Sequence, residues 1–445
     1  MTLRKLVLPL FLLACISTHA VARNARASGG GTSPDLTAPA AMNMEIIGRN
    51  NLGGAGKGGE GLALKQYQDG RRILFLAHES GPACVSLIDV TNPKAPTLMV
   101  QTRIVADNVR CNSLSITANI LVVAQQTLNP GQKEAGMDVY DVSDPLKMEK
   151  LSHFDTSGPN SRGVHFVWFV DGHYAYLATG AKDFKSRLPF DDQFLMIVDL
   201  TDPRNPKEVG RWWMPGTKVN DASDVPGRID SLDAGNRIHS VIVLPERPDR
   251  AYVGWHDGGF VILDISDKAH PQLISHRSWQ SAGNGFAHTL LPIPSRDIAI
   301  QTEEAILELC ADWPKRNWVW DIKNETNPYP LAVFPPVANQ DALCKAGGRF
   351  GAHNINMNKP TSTSRTLNRT VVGSYFAGGV RIVSIADPSH PQEIGYMIPS
   401  APPGNKTKTI QINDVYVDEN GLIYANDRLD GGLYIMRYTG KVPLD

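Results

Sequence analysis

The 445-residue chain has no excess of charge of either sign: 44 Lys and Arg stand against 45 Asp and Glu, with no run of like charge. A surface built to grip phosphate backbones would show as a basic excess, so nucleic acid is not expected as a partner. Past residue 25 no apolar stretch approaches the roughly 20 residues that a membrane-spanning helix needs. Cysteine is scarce, five in all, and no two are spaced as CxxC, which leaves cysteine-based zinc and thioredoxin-type sites without ligands. There is also no phosphate loop or nucleophile elbow.

What is there begins with an export signal. Arg4 and Lys5 precede an apolar run from Leu6 to Ile16, and Ala20-Val21-Ala22 offers small residues to a signal peptidase. Residues 1–22 are therefore expected to be a signal peptide and 23–43 a flexible lead-in rich in Ala, Ser, Gly and Pro. Leu12-Leu13-Ala14-Cys15 also looks like a lipobox, which would make Cys15 a lipid anchor instead. The expected location is secreted or periplasmic, with a membrane-anchored lipoprotein as the alternative.

From residue 44 onward one line recurs: an apolar pair, Asp, an apolar residue, then a turn that usually bears Pro. It reads LIDVTNP at 87–93, VYDVSDP at 139–145, IVDLTDP at 197–203, ILDISDK at 262–268 and VWDIKNE at 319–325. Weaker copies stand at 382–385 and 434–437. Equivalent positions (89, 141, 199, 264, 321, 384 and 437) are separated by steps of 52 to 65 residues. That period fits a four-stranded propeller blade with its loops. The repeated Asp precedes a tight turn and can satisfy local N–H groups, so its role is structural. The seventh copy lacks residues for a fourth strand. Met44-Glu45-Ile46-Ile47-Gly48-Arg49 is similar to the fourth strands at 207–211 and 392–396, and would close the ring and remove an exposed edge. The fold expected is all-β: a seven-bladed β-propeller over 44–445, its last blade closed by an N-terminal strand. The LIDVTNP, IVDLTDP and ILDISDK lines resemble the LVIVD repeat family of bacterial and secreted propellers, over roughly residues 44–438. The resemblance implies the fold and says little of activity.

In a propeller the first strand of each blade lines the channel, and its start shares a face with the end of the second strand. The first-strand starts read Glu60, Asn112, His165, His239, His288, His353 and Asp414. Four of the twelve histidines fall on one register position in consecutive blades. Packing gives no reason for this, because buried polar groups need partners. Converging imidazoles suit a transition metal, iron or copper first and zinc as well. Glu60 and Asp414 could be ligands or carboxylates that fix a His tautomer. The layout is similar to that of carotenoid cleavage oxygenases, whose channel histidines hold iron, and of the His-lined copper propeller of nitrous oxide reductase; the likeness is of layout alone. Four histidines on adjacent blades would hold a metal off the axis, or through a bridging water. Two other readings stay open: a hydrogen-bonded lining, and direct binding of a substrate carboxylate.

The second-strand ends add His78-Glu79, Gln125-Gln126, His256-Asp257, Glu303-Glu304, Tyr375 and Asp427-Arg428 around the same face. Glu60, Glu303 and Asp414 are the candidate general bases. Trp212, Trp213, Trp255, Trp279, Trp313 and Trp318 could wall a substrate, or pack between blades. Connections 128–136, 182–192, 214–236 and 307–317 also fall near this face, and 214–236 could be a lid. Cys84 and Cys111 occupy neighbouring places on blades 1 and 2, as do Cys310 and Cys344 on blades 5 and 6. Disulfides Cys84–Cys111 and Cys310–Cys344 are expected, as an oxidising compartment allows. The leading functional expectation is an exported metal-dependent enzyme, redox before hydrolytic, acting on a small organic substrate. A non-catalytic binding propeller is the rival, and a zinc-dependent hydrolase or lactonase a third reading.

Overall fold

The computed structural model describes residues 40–227, 235–278, 286–312, 315–403, 405 and 407–445. The expected signal peptide, Cys15 of the expected lipobox, Trp279, Trp313 and residues 228–234 of the expected lid lie outside the described residues.

The strands form seven antiparallel sheets, one per repeat. Blade 4 shows the plan: Ser240–Leu244, Arg247–Trp255, Gly259–Asp264 and Gln272–Arg277, hydrogen-bonded in that order. First strands of successive blades touch, as Val164–Phe169 does Ser240–Leu244 and Gly58–Gln66 does Leu114–Thr117, so they surround one channel. Second and third strands lie between neighbouring blades and are buried on both faces. They therefore read as continuous apolar runs, such as Ile73-Leu74-Phe75-Leu76-Ala77, all fully buried. Outer strands such as Thr97–Arg103 are only partly covered and carry mixed residues.

The repeated sequence line has a repeated geometry. Asp89, Asp199 and Asp264 each accept the backbone N–H two residues on, at 2.8–2.9 Å. This Asx turn starts the return into the outer strand. In every blade the outer strand then carries one extra residue against its partner: Met99, Leu151, Val209, Ile274, Leu331, Ile394 and, in the closing strand, Ile47. A bulge there adds right-handed twist.

Met44–Asn50 pairs with Leu433–Tyr438, Met44 opposite Tyr438 and Asn50 opposite Leu433, and supplies the fourth strand of blade 7. A Cβ on Gly48 would fall 2.0 Å from the Pro93 carbonyl oxygen of blade 1, and one on Gly210 would fall 1.9 Å from that of Lys268 in blade 4. This outer-strand glycine is thus the point where one blade takes the turn of the next. One boundary shifts: Ala40–Met42, expected in the lead-in, pairs with Tyr396–Ile398 as an additional outer strand of blade 6. The inner strand of blade 6 is irregular, held by His353 N–H donating to Ser374 O and by an Ile355–Gly373 bridge. Both disulfides form, Cys84–Cys111 and Cys310–Cys344.

Candidate metal centre

The histidines reach the axis because of a local irregularity. His165 sits in a bulge between Val164 and Phe166, and His288 in one between Ala287 and Thr289. His239 and His353 stand at the corresponding edge of their ladders, each N–H donating to the second strand. The same register in blade 7 belongs to Asn413, bulged between Ile412 and Asp414. The ring therefore reads Glu60, Asn112, His165, His239, His288, His353 and Asn413.

The imidazoles converge with Glu60, which reaches across from blade 1. Glu60 Oε2 lies 3.3 Å from His239 Nε2 and 3.5 Å from His288 Nε2; Glu60 Oε1 lies 3.7 Å from His353 Nε2. His165 and His239 face each other through Nε2 at 2.8 Å. Glu304 Oε1, at the end of the second strand of blade 5, is 3.7 Å from His353 Nε2. The carboxylate joins the cluster from blade 1, outside the four histidine-bearing blades.

Outer nitrogens are held for three of the four rings. His353 Nδ1 donates to Asn413 O at 2.7 Å, His165 Nδ1 meets Gln126 Oε1 at 2.8 Å, and His288 Nδ1 meets Thr289 Oγ1 at 2.9 Å. Such contacts fix the tautomer and turn Nε2 inward, as around bound metals. The inward atoms are left over: His288 Nε2, His353 Nε2 and Glu60 Oε2 are buried with no hydrogen-bond partner among the described residues. So are both side-chain polar atoms of Asn112 and Oδ1 of Asn413. Leaving such atoms unmet costs about 1–3 kcal/mol each.

A cation bound between these atoms would meet them. Two ligands bound at about 2.0–2.1 Å are separated by about 2.9 Å at a right angle and about 3.4 Å at a tetrahedral angle. Of the distances from Glu60 to the histidines, 3.3 Å falls within this range and 3.5 and 3.7 Å lie just beyond it. Protonation is also disfavoured. Burial, reinforced by the neighbouring His288, lowers His239 and takes His353 to about 3; burial also holds His165 well down. Burial works against the Glu60 carboxylate, but the surrounding histidines overcome it and keep the group ionised. Glu304 drops to about 2, burial being outweighed by His353 and Arg349. Neutral imidazoles beside ionised carboxylates are a metal-binding donor set.

Other predicted residues have other surroundings. Asp414 faces the channel on the far side of Glu60, where it, Leu62, Lys359 and Tyr416 line a cavity of about 10 Å³, room for about one water. Burial raises Asp414 to about 7, Lys359 opposing; burial lowers Lys359 to about 8. Glu303 turns away, accepting from Trp318 Nε1 at 3.0 Å. Tyr375 packs with Val337, Leu343 and Phe350. Asp427 takes the backbone N–H groups of Gln411 and Gly431, a turn role. His78 meets Ser86 Oγ at 2.7 Å, apart from the cluster. Asp257 accepts from Gly235 N–H at 2.9 Å. His256 borders the cluster, its ring centroid 4.8 Å from that of His239. Trp212 and Trp255 pack ring against ring.

Sequence reasoning did not single out Arg110, Arg237, Arg349, Asn413 or Phe376. Their signal was available. A basic residue stands two to four positions before the register residue in blades 2, 3, 4 and 6: Arg110, Arg162, Arg237 and Arg349.

The LVIVD repeat model matches residues 249–276, which span the second to fourth strands of blade 4. No curated protein matches the chain. Among solved structures, the β-propeller domain of Cps50 (Swd1) from Myceliophteria thermophila superposes with a TM-score of 0.52 at 17% identity, covering 85% of this chain and 96% of that one. A protein from Lactobacillus plantarum does so with 0.51 at 15%, covering 83% and 95%. At such identities the likeness concerns the fold alone. The chain is a seven-bladed β-propeller that carries an LVIVD repeat in blade 4.

Proposed function

We propose that this propeller is an exported, metal-dependent enzyme acting on a small organic substrate at the channel mouth. His239, His288, His353 and Glu60 hold the metal, with His165 at its border. One observation carries the reading: Nε2 of His239, His288 and His353 lie within 3.7 Å of the Glu60 carboxylate, and Nε2 of His288 and His353 and Oε2 of Glu60 lack hydrogen-bond partners among the described residues. An imidazole-rich set with one carboxylate suits iron or copper, and also admits zinc. The favoured chemistry is oxidation of the substrate, its electrons passing to dioxygen or another diffusible acceptor. Zinc in the same set would support hydrolysis instead. Glu304, kept ionised by Arg349, adds negative charge beside His353 that favours a bound cation. Export agrees with the two disulfides; among the described residues no helix is long and apolar enough to cross a membrane.

Elemental analysis of the mature chain, alone and as His239→Ala and His288→Ala, tests this. The expected result is about one transition-metal ion per chain, lost in both folded variants. A chain that stays metal-free when supplied with iron, copper and zinc overturns the proposal, and so does metal retained by both variants. A binding propeller is the second reading, favoured by Val105, Leu128, Phe190, Leu307 and Leu309, apolar residues exposed in the loops of this face.

A further inference from the structure

A crescent of charge runs from beside His165 to beside His353. Arg110 Nη2 lies 3.4 Å from His165 Nδ1, and Arg110 Nη1 donates to Glu79 Oε1 at 3.2 Å. Arg428 donates to that same Glu79 oxygen. Arg428 and Arg349 both lie over the Phe376 ring, at 5.7 and 5.6 Å, and that ring stacks on His353 with centroids 4.4 Å apart. Arg349 Nη1 then donates to Glu304 Oε1 at 2.8 Å, next to His353. Phe376 holds a left-handed backbone, φ +47°, costly for an aromatic residue and kept where it serves the site.

The crescent is the wetter layer. Side chains of Arg110, Arg349 and Arg428 are 23, 25 and 17% exposed, while those of His288 and His353 are fully buried. Three guanidiniums share two carboxylates, which leaves one positive charge in excess. One charge in excess matches a monoanion better than a phosphate dianion, and the planar fork of Arg matches a carboxylate.

We propose that the site takes a small monocarboxylate, its head bound by Arg110, Arg349 and Arg428 and its other end directed at the His/Glu cluster. Only the position of the reacting end rests on the metal reading. The carboxylate would displace Glu79 from one guanidinium, so Glu79 acts as the occupant of the empty crescent.

Calorimetric titration with propionate, and with propionamide as the uncharged control, tests this in Tris buffer at constant chloride. Metal content is measured in parallel. The metal-loaded wild type is expected to prefer propionate by about tenfold or more, the worth of one charge-assisted hydrogen bond. Arg428→Gln and Arg349→Gln should each lose that preference with folding and metal unchanged, and Glu79→Gln should bind propionate more tightly. Equal binding of acid and amide, or an unaltered preference in both arginine variants, overturns the inference. Preference without bound metal sustains it and removes the metal reading alone.

Discussion

The two disulfides should differ sharply in their resistance to reduction, although loop length makes them equivalent. They close separations of 27 and 34 residues. Loop-closure entropy then gives about 4 kcal/mol of stabilisation for either one. Access separates them. Cys84 is 3% exposed and Cys111 fully buried, in the apolar core between blades 1 and 2. Cys310 and Cys344 are only partly buried and border a cleft of about 660 Å³ with Leu309, Arg316, Gln340, Asp341 and Lys345. Exchange requires a thiolate to reach a sulfur in line, and the cationic side chains of Arg316 and Lys345 favour its approach. Under native conditions dithiothreitol should open Cys310–Cys344 first, while Cys84–Cys111 survives until the propeller unfolds. With an unfolding entropy of about 2 cal/mol/K per residue over about 400 residues, losing about 4 kcal/mol lowers Tm by about 5 °C. Timed alkylation with peptide mass spectrometry reads the order, and calorimetry reads Tm. Simultaneous opening, or Cys84–Cys111 opening first, would refute the reasoning from burial.

Gly48→Ala should destabilise the ring by about 1–3 kcal/mol, because its Cβ would fall 2.0 Å from Pro93 O and the closing strand must shift; an unchanged denaturation midpoint would show that the blade junction is loose. His78, which burial holds at about 4, should make the protein acid-sensitive. Unfolded, it takes up a proton near pH 6.5; folded, it does not until near pH 4. Its contribution is therefore full above pH 6.5, falls as pH drops, and costs about 1.4 kcal/mol at pH 5.5. His78→Gln should flatten that part of the stability curve, and equal slopes for variant and wild type would contradict a buried neutral imidazole.

Much of the fold was legible because each blade repeats one physical solution. The Asp at 89, 199 or 264 makes the same turn, and strands buried between blades read as apolar runs wherever they occur. The closing strand was legible from Glu45-Ile46-Ile47-Gly48-Arg49, since its glycine faces the next blade's turn as Gly210 does. The histidine register was legible because four blades state it identically. The remainder depended on single-residue shifts. A bulge in blade 7 places Asn413, not Asp414, beside His353, and one position along a strand exchanges Glu304 for Glu303. Alternation alone does not reveal a bulge, and one slip turns a side chain to the other face. The charge crescent joins blades 1, 2, 5, 6 and 7, and no local pattern announces pairs such as Glu79 with Arg428, 349 residues apart.

The central claim is a metal ion at the axis between Glu60 and the histidines. Anomalous diffraction at the iron, copper and zinc absorption edges, from crystals of the protein supplied with these metals, tests it most directly. The account predicts one peak about 2.0–2.2 Å from Nε2 of His239, His288 and His353 and from a Glu60 oxygen. A metal-replete crystal with no peak there, or with its peak on other residues, would contradict it.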